Sequence, residues 1–455
     1  MIGTMTLDNL ARQLDGELLG KDASFQELST DTRSLTSGQA YLALVGEHFN
    51  GNEFVSRAQA RGAVAAIVSE SQPADLPQLL VANTHDALAR IARENRLRSN
   101  AKVVALTGSQ GKTSVKEMLA AIFSDAAETL ATLANLNNTI GVPLTLLRLE
   151  SKHRFAVIEM GANRAGEIAF SVASALPDVV LITGASAAHI EGFGSLQGIV
   201  TAKGEILESF HGRGTAVLNA DDAHVEQWIT RAGEHNVVLF SYANDNGRSS
   251  YYAQQVVFGG DGRVAFDLHT PLGVASIKLK MLGRHNIVNA VAAAAAAIEA
   301  GATLENVRAG LSLIEPVPGR MAPVTGYKDS LLIDDSYNAS PGSFFAAIDV
   351  LVSCRGKKVL VMGDMRELGA ESATSHQAVG DYAREAGVEL LLAVGEESRQ
   401  TIAAFGPQGL WFADQQQLID ACRELANDQV TFLVKGSRGA RMDIVASALG
   451  NGGHH

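Results

Sequence analysis

One loop and three side chains in this 455-residue chain have the types and spacing to do chemistry. The loop is Thr107-Gly-Ser-Gln-Gly-Lys-Thr113. Its glycines, Gly108 and Gly111, let successive amides turn toward an anion, and a helix starting just beyond adds its positive end. Lys112 can reach outer phosphates, and the Thr113 hydroxyl is placed to ligate magnesium. Leu106 stands where the longer phosphate-loop consensus has glycine, so only the core Gly108-x-x-Gly111-Lys112-Thr113 matches. The side chains are Glu159, His189 and Lys203. Glu159 follows an apolar run, and a carboxylate at the carboxyl end of a parallel strand points into the crevice where ligands bind. Magnesium prefers such hard oxygen donors. Each residue also has a plain reading: a solvated acid at a strand end, a structural loop histidine, a surface lysine. A nucleotide loop alone does not name a reaction, since ATPases, kinases, GTPases and ligases all use one.

These groups need rigid elements to position them. The apolar run Lys102-Val-Val-Ala-Leu106 reads as a buried strand before the loop, and Ser114 to Ala126 as the helix after it. Phe155-Ala-Val-Ile158 and Asp178-Val-Val-Leu-Ile182 are further buried strands. Strands alternating with helices predict a parallel sheet covered on both faces. Residues 1–83 read as a small α/β unit, with strands over Gln39–Val45 and Ala63–Val68. Residues 84–314 form the central unit, opened by a helical pattern through Arg98. The prolines of Glu315-Pro-Val-Pro-Gly319 open a third unit, residues 315–455. Its strands Ser330–Ile333, Lys358–Met362, Leu390–Val394 and Val430–Val434 predict a second doubly wound sheet. The fold class is therefore α/β in three domains.

Composition limits the function. Hydrophobic residues make up 46% and charged residues 19%, the balance of a packed globular protein. A formal net charge of -12 argues against a nucleic-acid partner, which needs a basic face. Anionic phosphates can still bind where local amides, a lysine and a metal supply positive field. The alanine-rich tract Ala290–Ile298 is too short to span a bilayer, and no secretory signal opens the chain. Cys354 and Cys422 have no metal or redox spacing and read as reduced thiols, so the protein is expected in the cytoplasm.

A series of motifs, in order over nearly the whole chain, resembles the Mur ligases of bacterial cell-wall synthesis. They are the phosphate loop, Asn135-x-Asn-Asn-Thr-Ile-Gly-Val-Pro143, Ile158-Glu-Met-Gly161, Ala188-His-Ile-Glu191, Ala202-Lys-Gly-Glu205 and Gly283-Arg-His-Asn-Ile-Val-Asn289. Pro318-Gly-Arg-Met321, Asp335-Ser-Tyr-Asn-Ala-Ser-Pro341, Gly363-Asp-Met-Arg-Glu-Leu-Gly369 and Val434-Lys-Gly-Ser-Arg438 complete the series. Ser29-Thr-Asp-Thr-Arg33 is similar to the family's opening domain.

The resemblance implies a domain for the UDP end of the substrate, a central ATPase with a phosphate loop, and a terminal Rossmann-like domain. It implies an ATP-dependent ligase using ATP and Mg2+, with Lys112, Glu159, His189 and Lys203 as catalytic residues. Gly108, Ser109, Gln110, Gly111, Lys112 and Thr113 would hold the ATP phosphates, Asn286 and Asn289 its base, and Arg320 and Asp335 its far side. Ser29, Thr30, Asp31 and Arg33 would contact the UDP-sugar, although a turn with a local ion pair is the reading from spacing alone. Asn137, Asn138 and Thr139 would line the passage to the acceptor peptide, or simply form turns. Asn338, Lys435, Ser437 and Arg438 would face the incoming dipeptide or the peptide carboxylate. Thr113, Glu159, His189 and Lys203, the last if carbamylated, would be metal ligands. Asp335-Ser-Tyr-Asn338, Gly363-Asp-Met365 and the loop opening Thr107-Gly-Ser109 resemble members that join D-alanyl-D-alanine to a UDP-N-acetylmuramoyl-tripeptide. Members adding diaminopimelate or D-glutamate, or making folylpolyglutamate, are the alternative. A monomer is expected.

Overall fold

The computed structural model describes residues 1–186, 190–244, 247–259 and 262–450. The first sheet has five short strands: β1 (Glu17–Leu19), β2 (Leu28–Ser29), β3 (Ala40–Leu42), β4 (Ala65–Val68) and β5 (Gln78–Leu80), in the order β1-β5-β4-β3-β2. The strand expected over Gln39–Val45 ends at Leu42. Beyond it the Gly51 amide bonds the Leu44 carbonyl at 2.8 Å, and Val45–Gly46 pairs with Phe49–Asn50 as a separate hairpin. Local turn bonds thus outcompete strand continuation. Helix α1 (Thr84–Leu97), capped by the Asn83 side chain, leads into the central unit.

The central sheet is wholly parallel. Its strands are β6 (Lys102–Thr107), β7 (Thr129–Ala131), β8 (Phe155–Glu159), β9 (Val179–Ile182), β10 (Thr215–Asn219) and β11 (Asn236–Phe240), in the order β7-β8-β6-β9-β10-β11. The middle strands β6 and β9 are buried along their length except at Lys102, because helices cover both faces. Helix α2 (Lys112–Ala126) follows β6 and begins two residues before Ser114, because Gly111 sits in the left-handed region at φ 79° and starts the helix at once. Helices α3 (Glu167–Ala175) and α4 (Leu196–Gly204) flank β9 in the chain.

Strands β7, β10 and β11 are not among those expected from the sequence, nor is the three-stranded unit that follows them. Strands β12 (Tyr252–Phe258), β13 (Arg263–Thr270) and β14 (Gly273–Leu282) form an antiparallel meander, which packs its inner face on the far side of the central core. Helix α5 (Arg284–Glu299) then passes beneath the central sheet. Every residue from Ala290 to Ala297 is buried, since alanine side chains allow a helix to lie close to its neighbours. No helix among the described residues is long and apolar enough to cross a membrane.

The last sheet is formed by β15 (Ala322–Thr325), β16 (Leu331–Asp335), β17 (Lys357–Gly363), β18 (Leu390–Val394), β19 (Gly409–Phe412) and β20 (Val430–Lys435). Its order is β15-β16-β20-β17-β18-β19, parallel except at β15. Helices α6 (Pro341–Ser353) and α7 (Ser372–Ala386) lie on one face, and separate apolar clusters fill the two sides. Cys354 and Cys422 are buried thiols that form no disulfide among the described residues.

Candidate active site

The site lies where the carboxyl ends of the central strands face the carboxyl ends of the last sheet, as open α/β sheets require. The turn after β6 is shaped by contact. A Cβ on Gly108 would stand 1.9 Å from the Thr183 hydroxyl oxygen, and one on Gly111 2.5 Å from Asn289 Oδ1. Glycine is therefore obligatory at both positions. The Thr107 hydroxyl donates to the Met160 carbonyl at 2.8 Å, and the Lys112 ammonium to the Gly108 carbonyl at 2.7 Å. Burial and the Arg320 charge pull the Lys112 ammonium below its ordinary range, and Glu159 opposes them.

Glu159, at the end of β8, is buried and held from several sides. Its carboxylate accepts from the Thr113 hydroxyl at 3.1 Å and from Asn137 Nδ2 at 2.8 Å. Its amide donates to the Thr132 hydroxyl at 3.0 Å, and the buried Lys116 ammonium grips the Thr132 carbonyl at 3.0 Å. A hydroxyl and a carboxylate side by side at a phosphate loop form a donor set suited to magnesium. Among the described residues no cluster of three histidine, cysteine or acidic side chains forms a ready-made metal site. His189 lies outside the described residues.

Two cavities meet at the loop, and Ser109 lines both. The smaller, about 160 Å³, is bounded by Gly108, Lys112, Asn137, Asn138, Glu167 and Lys203. Lys203 is 4% exposed, and burial, followed by the nearby Lys112 charge, pushes its amine down to about 7. Its nitrogen lies 5.6 Å from the centre of the Phe193 ring. Asn138 lines this cavity while its Oδ1 also caps the Gly141 amide at 2.8 Å, so its two readings coexist. The Thr139 carbonyl meets His85 at 3.2 Å.

The larger cleft, about 580 Å³, runs between the central unit and the last sheet. Gln110, Gly111, Asn286 and Asn289 line one wall, and Arg320, Asp335, Asn338, Lys435, Ser437 and Arg438 the other. Asn289 Nδ2 donates to Asn286 Oδ1 at 3.0 Å, and Asn286 Nδ2 to the Leu282 carbonyl at 2.8 Å. Lys435 donates to Asp335 at 2.6 Å and to the Asn338 carbonyl at 2.9 Å. Burial raises the Asp335 carboxyl, opposed by Lys435 and the Met321 amide.

Some cleft residues carried no role in the sequence reading. Tyr337 lies under the Arg320 guanidinium at 4.2 Å and near Arg438 at 5.3 Å. His285 is held neutral, pushed down to about 4 by burial and then by the Lys435 charge. Arg366 joins them on the lining. All three sit inside recognised motifs, so the signal was position within those motifs rather than residue type. Ser29, Thr30, Asp31 and Arg33 line neither cavity. They form a turn in which Arg33 Nη2 and Asp31 Oδ2 stand 2.7 Å apart and hold the Asp31 carboxyl down at about 2.

A glycine-shaped phosphate loop in one α/β unit, facing a basic wall from another, defines a nucleotide-dependent enzyme whose two halves share a substrate cleft. The chain belongs to the Mur ligase family: the family's middle domain matches residues 106–297, its glutamate ligase domain 319–438 and its catalytic domain 24–96. It is therefore a ligase. It is 46% identical to the UDP-N-acetylmuramoyl-tripeptide–D-alanyl-D-alanine ligase of Escherichia coli K12, with 99% of each chain covered. It is 39% identical to the enzyme of that name from Haemophilus influenzae, over 97% of both. In three dimensions it is similar to MurF from Acinetobacter baumannii (TM-score 0.90, 34% identity, 97% of this chain and 98% of that one). It is also similar to MurF ligase from Thermotoga maritima in complex with ADP (TM-score 0.83, 26% identity, 93% and 96%).

Proposed function

We propose that this chain joins D-alanyl-D-alanine to the peptide carboxylate of UDP-N-acetylmuramoyl-tripeptide, converting ATP to ADP and phosphate. The observation that carries the reading is the phosphate loop between two cavities: Ser109 lines both, Lys112 the smaller one, and Thr113 beside it bonds Glu159. ATP in the large cleft, between the asparagine wall and Arg320, directs its γ-phosphate at that boundary. The tripeptide carboxylate approaches from the small cavity. Its oxygen attacks the γ-phosphorus, the bond to the ADP oxygen breaks, and an acyl phosphate forms. The dipeptide amine then attacks the acyl carbon, and phosphate leaves. Lys112 neutralises charge on the transferring group, the main need in phosphoryl transfer. A magnesium ion beside Thr113 and Glu159 supplies further positive charge there when bound.

Lys203 adds a second element to this reading. An amine near neutrality at pH 7 can attack carbon dioxide, forming a carbamate and releasing a proton. That turns a buried cation into an anionic oxygen donor, which with Glu159 and His189 would suit a second metal. Residues 1–83, with the Ser29–Arg33 turn, take the UDP end, 84–314 the ATP, and 315–455 close the cleft. A cytoplasmic monomer suits substrates that are themselves nucleotides.

The test is direct. The chain is mixed with ATP, magnesium, UDP-N-acetylmuramoyl-tripeptide and D-alanyl-D-alanine, and the pentapeptide is sought by mass spectrometry. One ADP and one phosphate are expected per product. A panel with D-glutamate and diaminopimelate should give no product, and product from either would overturn the assignment. Lys112→Ala should lower turnover by about a thousandfold or more.

A further inference from the structure

At the end of β10 the chain turns through Asn219-Ala-Asp-Asp222, a segment with no part in the chemistry above. Its two carboxylates are engaged with backbone. Asp222 Oδ2 accepts the Ala185 amide at 2.8 Å, and its Oδ1 accepts the His224 amide at 2.8 Å. Asp221 Oδ2 accepts the Tyr242 amide at 2.7 Å, and Asn219 Nδ2 reaches the Thr183 carbonyl at 3.3 Å. One turn therefore ties the exits of β9 and β11 to that of β10, on the rim where parallel sheets bind ligands.

The bond to Ala185 matters because of what its neighbours hold. The Gly184 carbonyl accepts the Ser109 amide at 2.9 Å. The Ser109 hydroxyl donates to the Ser186 carbonyl at 3.1 Å, and the Ser186 amide donates back to it at 3.0 Å. The Thr183 hydroxyl donates to the Gln110 carbonyl at 2.6 Å. Residues 183–186 thus form a strap that sets the conformation of Ser109 and Gln110, and Asp222 anchors the strap from behind. Hydrogen bonds to an ionised acceptor are stronger than neutral ones, and the half-buried Ala185 amide has no other partner among the described residues.

We propose that Asp222 is a positioning residue for the phosphate loop. By holding the Ala185 amide it fixes the strap, and the strap presents Ser109 and Gln110 to the phosphates of ATP. Asp222 touches no reactant. This inference rests on the reading of the loop as an ATP site.

The experiment uses the full chain and three variants: Asp222→Ala, Asp222→Asn, and Asp221→Ala as a control from the same turn. ADP binding in the presence of magnesium is measured by calorimetry, and KM is measured separately for ATP and for D-alanyl-D-alanine. Asp222→Ala should weaken ADP binding and raise KM for ATP about tenfold, the scale of a misplaced binding group, with KM for the dipeptide unchanged. Asp222→Asn keeps an oxygen acceptor and should fall between it and the parent. Asp221→Ala should leave KM for ATP unchanged. Parent-like ADP binding by folded Asp222→Ala overturns the proposal. So does an equal rise in KM for ATP from Asp221→Ala, or a parallel rise for both substrates. If Asp222→Ala does not fold, an unshifted KM for ATP in Asp222→Asn overturns it instead. A parent chain that bound no ADP would defeat the ATP reading itself, whereas normal parent binding beside an unshifted variant defeats this inference alone.

Discussion

Two buried lysines face the site from opposite sides, and their surroundings differ. Lys435, 2% exposed on the wall of the large cleft, is matched by the Asp335 carboxylate at 2.6 Å and a backbone carbonyl. Lys203, 4% exposed in the small cavity, donates no hydrogen bond to any described residue; the Phe193 ring lies 5.6 Å away, and Glu205 and Glu167 act on it only as opposing charges. A buried charge without a partner is expensive and gives up its proton instead. The matched pair carries compensated charges on the cleft wall. The unmatched amine is chemically reactive, which is why it and not Lys435 is the candidate for carbamylation.

Removing Lys203 should break this comparison most visibly. Lys203→Ala should lower turnover by about a hundredfold if the lysine supplies metal-site charge. The parent should lose activity in carbon-dioxide-depleted buffer and regain it with bicarbonate, and the variant should ignore bicarbonate. The pH dependence follows from the amine value of about 7, against an ordinary 10.5. Above 7 the amine is neutral and can take up carbon dioxide; below 7 it is protonated and cannot. Bicarbonate stimulation should therefore be strong at pH 8 and fade by pH 6, and a flat profile would refute the carbamate. The same shift lowers stability below pH 7, where the buried amine is charged, and the penalty fades as pH rises toward 10.5.

On the matched side the expected loss is of stability. Asp335→Asn leaves the Lys435 ammonium buried without a counter-charge, which costs about 3–5 kcal/mol. Asp335→Asn combined with Lys435→Met removes both charges and should recover most of that loss in a thermal melt. A single variant as stable as the parent would show that Lys435 finds water after all, and the contrast with Lys203 would weaken.

The sequence displayed one kind of feature well and another poorly. The β6–loop–α2 unit was legible because an apolar run, two glycines and a lysine are contiguous. The alternation of β14, with Ala275, Ile277, Leu279 and Met281 buried and Ser276 and Lys278 outward, is regular, but β14 is not among the strands expected from the sequence. In the same meander β12, which pairs with β13, hides the pattern, because a register shift between Gln254 and Val257, with Gln255 at φ 50°, breaks the period of two. Asp222 was invisible for a different reason. Its partner amide lies 37 positions away, and the Ser109–Ser186 exchange spans 77, so neither leaves a local pattern. Motif order located Tyr337 and His285 without assigning them work, since only the folded cleft shows what each faces.

The smallest expected effect concerns the turn at Ser29–Arg33, which lies apart from both lysines. Arg33 is 80% exposed at its side chain, and its fork closes on Asp31 two residues away. Exposed ion pairs of this kind contribute little to stability, so Arg33→Ala should leave the melting curve in place. Asp31 titrates near 2, so the pair stays charged at every practical assay pH and no pH dependence should arise from it. A fork already engaged with a carboxylate must release it to grip a diphosphate, which limits the net gain on binding. Arg33→Ala should accordingly raise KM for the UDP-linked tripeptide only about fivefold, with KM for ATP untouched. Arg33→Lys keeps the charge but loses the planar fork and should fall between. A drop in melting temperature with an unchanged KM would instead make the turn purely structural, and the UDP end would have to bind elsewhere on the first domain.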